Sequence, residues 1–235
     1  MKIKIIFDKE KIADKYFCGW GTSYIIGNKT LFDTGEKAEY TLKNLKALDV
    51  DISGIERIVI SHNHWDHLGG LWDLLNINKN IEVFTCPDFV REFNQKLSSY
   101  NFKVVDKFFK ICENIYTSGP FKGRYKDKEI EEQALLVKTD KGVSVICGCS
   151  HPGVIKFIEK AKDEFPEHKI YAVLGGFHLI DEDNRVIRYL TEEIRNLGVE
   201  SIGPSHCTGF EATNVFKEVY AENFWDVKVG QEFRL

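Results

Sequence analysis

With 235 residues, 43% of them apolar and 13% aromatic, the chain can bury a full core and is too hydrophobic to be intrinsically disordered. A formal net charge of -4, with both signs spread along the sequence, excludes the basic footprint of a nucleic-acid binder. No stretch approaches the roughly 18 apolar residues of a membrane span, and MKIKIIFDKEKIADKYFCGWG lacks the apolar core of a signal peptide, so a cytoplasmic protein with no membrane partner is expected.

The alternation in KIKIIF, residues 2–7, predicts an opening strand. SYIIGNKTLFDTG predicts two short strands joined by a turn at Gly27-Asn28, and EKAEYTLKNLKALDV a helix with Leu42, Leu45 and Leu48 on one face. The apolar strand IERIVI then leads into the histidine-rich stretch VISHNHWDHLGG. Residues from about 86 to 128 show no regular pattern and read as a lid or substrate loop.

The order of elements then recurs. EEQALLVKTDKGVSVICGC predicts a hairpin turning at Asp140-Lys141-Gly142, followed by a helix in GVIKFIEKAKDEF and a strand in KIYAVLGG. Ile187, Leu190, Ile194 and Leu197 fall on one helical face, and the strand VESIGP and the helix FEATNVFKEVY come next. Two halves that each run from hairpin strands into alternating helix and strand predict an α/β fold with two sheets face to face and helices outside. None of the six cysteines forms a C-x-x-C pair, so reduced, mostly buried thiols are expected rather than a zinc ribbon.

The chemistry concentrates at His62, His64, Asp66 and His67, which follow an apolar strand within six residues. Extended chain points alternate residues the same way, so His62 and His64 can converge on one cation. A turn into helix at Asp66 would swing that carboxylate and His67 toward a neighbouring point, while Gly69 and Gly70 let backbone pass closely. Four donors are too many for one open catalytic ion and suit two. The plain alternative is a solvated loop with a helix cap at Asp66. Three more histidines, His151 in VICGCSHPG, His178 in VLGGFHL and His206 in IGPSHCTG, also follow apolar strands in glycine-rich turns. His168 in PEHKI reads as a surface residue.

His62-Asn63-His64-Trp65-Asp66-His67 resembles the H-x-H-x-D-H signature of the metallo-β-lactamase-fold superfamily. Asp33-Thr34-Gly35 looks like its first motif, His151 like the third and His206 like the last. The strings GCSHPG, GGFHL and PSHCTG look closest to the dihydropteroate-synthase-like subgroup, named after a methanopterin-pathway synthase that joins a dihydropterin to a ribofuranosylaminobenzene phosphate. The resemblance implies a four-layer αββα sandwich of two mixed β-sheets with helices outside, built as one domain over residues 1–235. It also implies two divalent metal ions at one edge of the sheets, His62, His64 and His151 holding the first and Asp66, His67 and His206 the second. Asp33 would stand behind the ligands and fix an orientation by accepting a hydrogen bond.

One departure matters. Gly175-Gly176-Phe177-His178 stands where many members of the superfamily carry a bridging aspartate. Either water or hydroxide alone bridges the ions, or another group substitutes: His178 first, as ligand, proton carrier or contact to a substrate anion, and Cys149 second, as an additional ligand. The expected activity is hydrolysis by a metal-activated water, of phosphoesters ahead of thioesters and lactams, on a phosphorylated small molecule. Asp66 would orient the nucleophile and take its proton, and His178 would steady the oxyanion. Zinc suits the histidine-rich set first, and iron or manganese accept similar ligands. A second expectation is a transferase that joins a dihydropterin to an aminobenzene-type acceptor, with Trp65, Phe177 and Phe210 either lining a pterin pocket or packing in the core, the commoner fate of such side chains. A third is a metal-binding protein without catalysis. FKGRYKDK, residues 121–128, is either a phosphate contact or a solvated loop.

Overall fold

The opening alternation forms β1 (Lys2–Phe7), with Ile3 and Ile5 fully buried. The computed structural model describes residues 1–235 and divides into two units, Met1–Lys107 with Lys228–Arg234, and Phe108–Val227 with Leu235. In the first unit β2 (Ser23–Ile26) and β3 (Thr30–Phe32) form a hairpin whose turn holds Gly27 at φ 58° and Asn28 at φ 68°. Two left-handed residues in succession match the twist of the flanking strands, which is why glycine and asparagine stand there.

Next come α1 (Ala38–Ala47), β4 (Arg57–Val59), α2 (Trp65–Leu68), α3 (Leu71–Ile77), β5 (Glu82–Thr85), α4 (Pro87–Leu97) and β6 (Asn101–Val104). The seven-stranded sheet runs from the terminal segment Glu232–Arg234 through β1 to β6 in chain order. It is antiparallel as far as β3 and parallel from β3 to β6. Parallel neighbours need crossovers, and α1, the α2–α3 pair and α4 supply them. Leu45 is buried against Ile6, Leu31 and Ile58, with Leu42 and Leu48 packed beside it, as the helical spacing predicts.

The second unit contains β7 (Phe109–Cys112), β8 (Ile115–Thr117), β9 (Phe121–Tyr125), β10 (Lys128–Glu132), β11 (Leu135–Thr139) and β12 (Gly142–Cys147). α5 (Val154–Glu164), β13 (Ile170–Gly176), α6 (Asn184–Asn196), β14 (Ser201–Ser205) and α7 (Phe210–Tyr220) follow. Its six-stranded sheet has the order β14-β13-β12-β11-β8-β7, and β9 pairs only with β10. β12, β13 and β14 are parallel, with α5 and α6 as crossovers. Ile187 and Ile194 of α6 are buried, and the Asp183 side chain caps the helix by accepting from the Arg185 and Val186 amides at 2.8 and 3.0 Å.

The stretch from 86 to 128 corrects the expectation of an irregular loop: it forms α4, β6, β7, β8 and the β9 side of a hairpin. Its signal is aromatic rather than aliphatic. Phe89 and Phe93, one helical turn apart, pack with ring centroids 4.7 Å apart, and Trp72 lies 6.0 Å from Phe102. No helix is long and apolar enough to cross a membrane.

Candidate metal centre

In the first unit the parallel strand β4 ends at Val59, and after a bend at Ser61 the chain reaches His64, whose φ of -76° and ψ of 147° precede α2. His62 Nε2 and His64 Nδ1 face each other at 3.1 Å. Asp66 and His67 enter on the first turn of α2, with Asp66 Oδ2 3.4 Å from His67 Nε2, and the His62 and His67 rings are 4.2 Å apart between centroids. His62, Asp66 and His67 are buried. Gly69 is required because a Cβ there would stand 2.0 Å from the Glu36 carbonyl oxygen, so the close passage read from the sequence is present.

Asp33 organises these donors from behind. It is fully buried at φ 56°, and its Oδ1 accepts from the Ser61 amide at 2.7 Å. Its Oδ2 accepts the Ser61 hydroxyl at 2.7 Å and the His67 Nδ1–H at 2.7 Å. A serine has one hydroxyl proton, so with that proton committed to Asp33 the Ser61 oxygen accepts from His62 Nδ1 at 2.8 Å. This network assigns Nδ1 as the protonated nitrogen in both rings, the tautomer in which Nε2 is the atom that would ligate a cation. Burial opposes a charged His67 ring, yet the charges of Asp33 and Asp66 outweigh it and hold its pKa well above the ordinary value. The pocket favours positive charge.

In the second unit, loops after three parallel strands carry the remaining candidates. After β12, the buried Glu132 carboxylate pins the backbone: Oε1 accepts from the Cys149 and Ser150 amides at 2.8 and 2.7 Å, and Oε2 from the His151 amide at 2.7 Å. After β13 and β14, His178 and His206 adopt left-handed φ values of 53° and 51°. Their loops are tied together where the Phe177 amide donates to Thr208 Oγ1 at 3.1 Å and the Leu179 amide to the Cys207 carbonyl at 3.2 Å. The His151 and His178 rings lie 4.5 Å apart, with the Tyr125 ring 5.4 and 5.9 Å away.

Donor atoms of Cys149, His178 and Cys207 lie within 4.8 Å of one another. Cys149 Sγ is also within 4.8 Å of a His206 ring nitrogen and, separately, of a His151 ring nitrogen. None of the six cysteines is in a disulfide. The Cys207 side chain raises the pKa of His178 against the opposing effect of burial. Burial resists ionisation of Cys207, but Cys149 and the His206 and His178 rings outweigh it and hold that thiol well below its ordinary value.

Each half-site offers imidazole nitrogen with carboxylate oxygen or thiol sulfur, and the buried His178 Nδ1 has no hydrogen-bond partner. That donor chemistry fits a borderline divalent cation such as zinc. The structure brings His62, His64, Asp66 and His67 together over Asp33 in one unit, and His151, His178, His206 and Cys149 together in the other. The expected pocket aromatics separate: Phe177 is buried in the core beside Phe216, whereas Trp65 and Phe210 are 61% and 75% exposed. Phe177 therefore packs the core and does not line a pocket. Glu132, Ser61 and Tyr125 were not legible as site residues. Tyr125 lies within FKGRYKDK, which forms the β9–β10 hairpin rather than a loop. Glu132 carried no distinguishing signal among the acids of EIEEQ.

A family model described as the metallo-beta-lactamase superfamily matches residues 19–155. The chain belongs to that superfamily. It is 34% identical, over 88% of its length and 84% of the relative's, to 7,8-dihydropterin-6-methyl-4-(beta-D-ribofuranosyl)-aminobenzene-5'-phosphate synthase of Methanocaldococcus jannaschii. Among solved structures it is similar to a metal-dependent hydrolase of the beta-lactamase superfamily, with a TM-score of 0.84 and 27% identity over 100% of this chain and 99% of the other. The metallo-beta-lactamase fold protein YhfI from Bacillus subtilis gives a TM-score of 0.72 at 12% identity, covering 99% of each chain, which supports the fold alone. The α/β class with two mixed sheets and outer helices is thus the fold of this superfamily.

Proposed function

We propose that the chain is a cytoplasmic binuclear metallo-hydrolase acting on a phosphoester of a small molecule, with its two units working as one domain. The observation that carries this reading is the pair of rings, His62 and His67, whose Nδ1–H tautomers are fixed through one buried Asp33, so that each would ligate through Nε2. His62, His64 and His151 hold one ion, and Asp66, His67 and His206 hold the other, zinc being the best match and iron or manganese compatible. Divalent ions held by these residues would supply a coordinated water of pKa lowered toward ~7 and a Lewis acid for a phosphoryl oxygen. Asp66 would orient the attacking water or take its proton, and His178, whose proton is favoured by Cys207, would donate to the developing oxyanion. The similarity to a metal-dependent hydrolase supports hydrolysis.

The test combines metal analysis with a phosphoester panel. His62→Ala and His67→Ala are expected to lose metal and activity together, and either variant retaining the full complement of metal overturns the ligand set. A second reading, transfer rather than hydrolysis, is favoured by the 34% identity to a synthase. Supplying a dihydropterin pyrophosphate with a ribofuranosylaminobenzene phosphate separates the two: a coupled product supports transfer, and release of phosphate without coupling supports hydrolysis.

A further inference from the structure

Two divalent ions about 3.5–4 Å apart repel strongly, and the six proposed ligands include a single formal anion, Asp66. A donor that touches both ions and offsets this repulsion needs a negative charge, at least two lone pairs, and a position near one ligand of each ion. Few groups qualify. Position 176, at the end of β13, is closed to a carboxylate: a Cβ there would stand 2.4 Å from the Gly148 oxygen and 2.7 Å from Cys207 Sγ. Both oxygens of Glu132 are engaged by backbone amides. A neutral His178 offers one lone pair per ring and no charge. The Cys207 sulfur lies within 4.8 Å of Cys149 and His178, neither of which is an assigned ligand of either ion.

Cys149 meets all three requirements. Its sulfur lies within 4.8 Å of a ring nitrogen of His151, assigned to the first ion, and within 4.8 Å of one of His206, assigned to the second. Ligands sharing one ion through bonds of about 2.0–2.3 Å sit roughly 3.5–4 Å apart, so closure takes a side-chain adjustment on the order of an ångström. Its backbone is already held by Glu132 through the 2.8 Å amide bond, and the residue is buried.

We propose that Cys149, as a thiolate, bridges the two metal ions of the centre. The inference rests on the binuclear ligand set proposed above. The thiol proton leaves to solvent as the sulfur–metal bonds form. A soft anionic bridge also biases the centre toward zinc or iron and away from manganese.

X-ray absorption at the zinc edge of the fully loaded protein, with metal counting by elemental analysis, tests this without any variant. The expected result is two ions per chain and a sulfur shell at about 2.3 Å averaging one sulfur per ion. Cys149→Ser is expected to lose that shell, Cys207→Ser to keep it, and Cys149→Asp to keep two ions without sulfur. Two ions with only nitrogen and oxygen neighbours, or one sulfur per pair of ions, overturns the bridge and leaves the binuclear reading standing. Loss of the shell in Cys207→Ser rather than Cys149→Ser does the same. A protein that binds fewer than two ions overturns the binuclear reading and the bridge with it.

Discussion

One buried carboxylate sets the tautomers of two histidine rings. Asp33 accepts from His67 directly and governs His62 through the Ser61 hydroxyl, so both rings present Nε2 from a shared anchor. Asp33→Asn keeps the size but places an NH2 group against either the Ser61 amide or the donors at the second oxygen, so the network loses at least one of its bonds. Its metal affinity is expected to fall about 10–100-fold in chelator competition, the range for losing a partner that orients a ligand. Ser61→Ala, which disturbs only His62, is expected to fall less. Equal affinity in Asp33→Asn and wild type would refute the anchoring role. Asp33 was legible because it precedes a turn glycine in DTG, at a distance that suits the later histidine cluster. Ser61 was not, since its role lies in the direction of one hydroxyl proton and leaves no spacing behind.

At the scale of elements, the helices α1, α5, α6 and α7 were legible because each carries apolar residues at helical spacing on the side it packs inward. Of the parallel strands, β3, β4, β12, β13 and β14 were legible as short, largely buried apolar runs, whereas β5 was not read and β6, mostly exposed as NFKV, fell in the stretch expected to be irregular. The β9–β10 hairpin escaped because most of its residues are polar and at least partly exposed, and the residues between the alternating basic positions of FKGRYKDK do not form an apolar face. That hairpin has a structural consequence all the same. β10 ends at Glu132, and β9 passes so close to the His151 loop that a Cβ on Gly123 would stand 2.5 Å from the His151 carbonyl carbon. Three backbone amides converge on Glu132, so Glu132→Gln turns an NH2 group toward at least one of them and leaves a buried donor unsatisfied. The expected cost is about 1–3 kcal/mol. At about 2–4 °C per kcal/mol for a chain of this size, the thermal midpoint should drop by roughly 2–12 °C in a calorimetric melt. An unchanged midpoint would mean the loop is held by something other than this carboxylate.

For the whole molecule, the proposed ligand set makes metal a shared component of folding. His62, His64, Asp66 and His67 belong to one unit and His151 and His206 to the other. A cation that binds only the native arrangement therefore stabilises both. At free metal near 100 times Kd the gain is about 2.7 kcal/mol per site, corresponding to roughly 5–11 °C in the thermal midpoint. The sign is fixed by linkage, so chelation lowers the midpoint and zinc restores it. Hydrogen exchange locates the effect. Adding zinc to the metal-free protein is expected to slow exchange around residues 61–68 in the first unit and around 149–151 and 205–208 in the second, all within one titration. Ions confined to the first half-site would protect only residues 61–68 and leave the His151 and His206 loops unchanged. That outcome would remove His151 and His206 from the ligand set, and with them any two-ion chemistry.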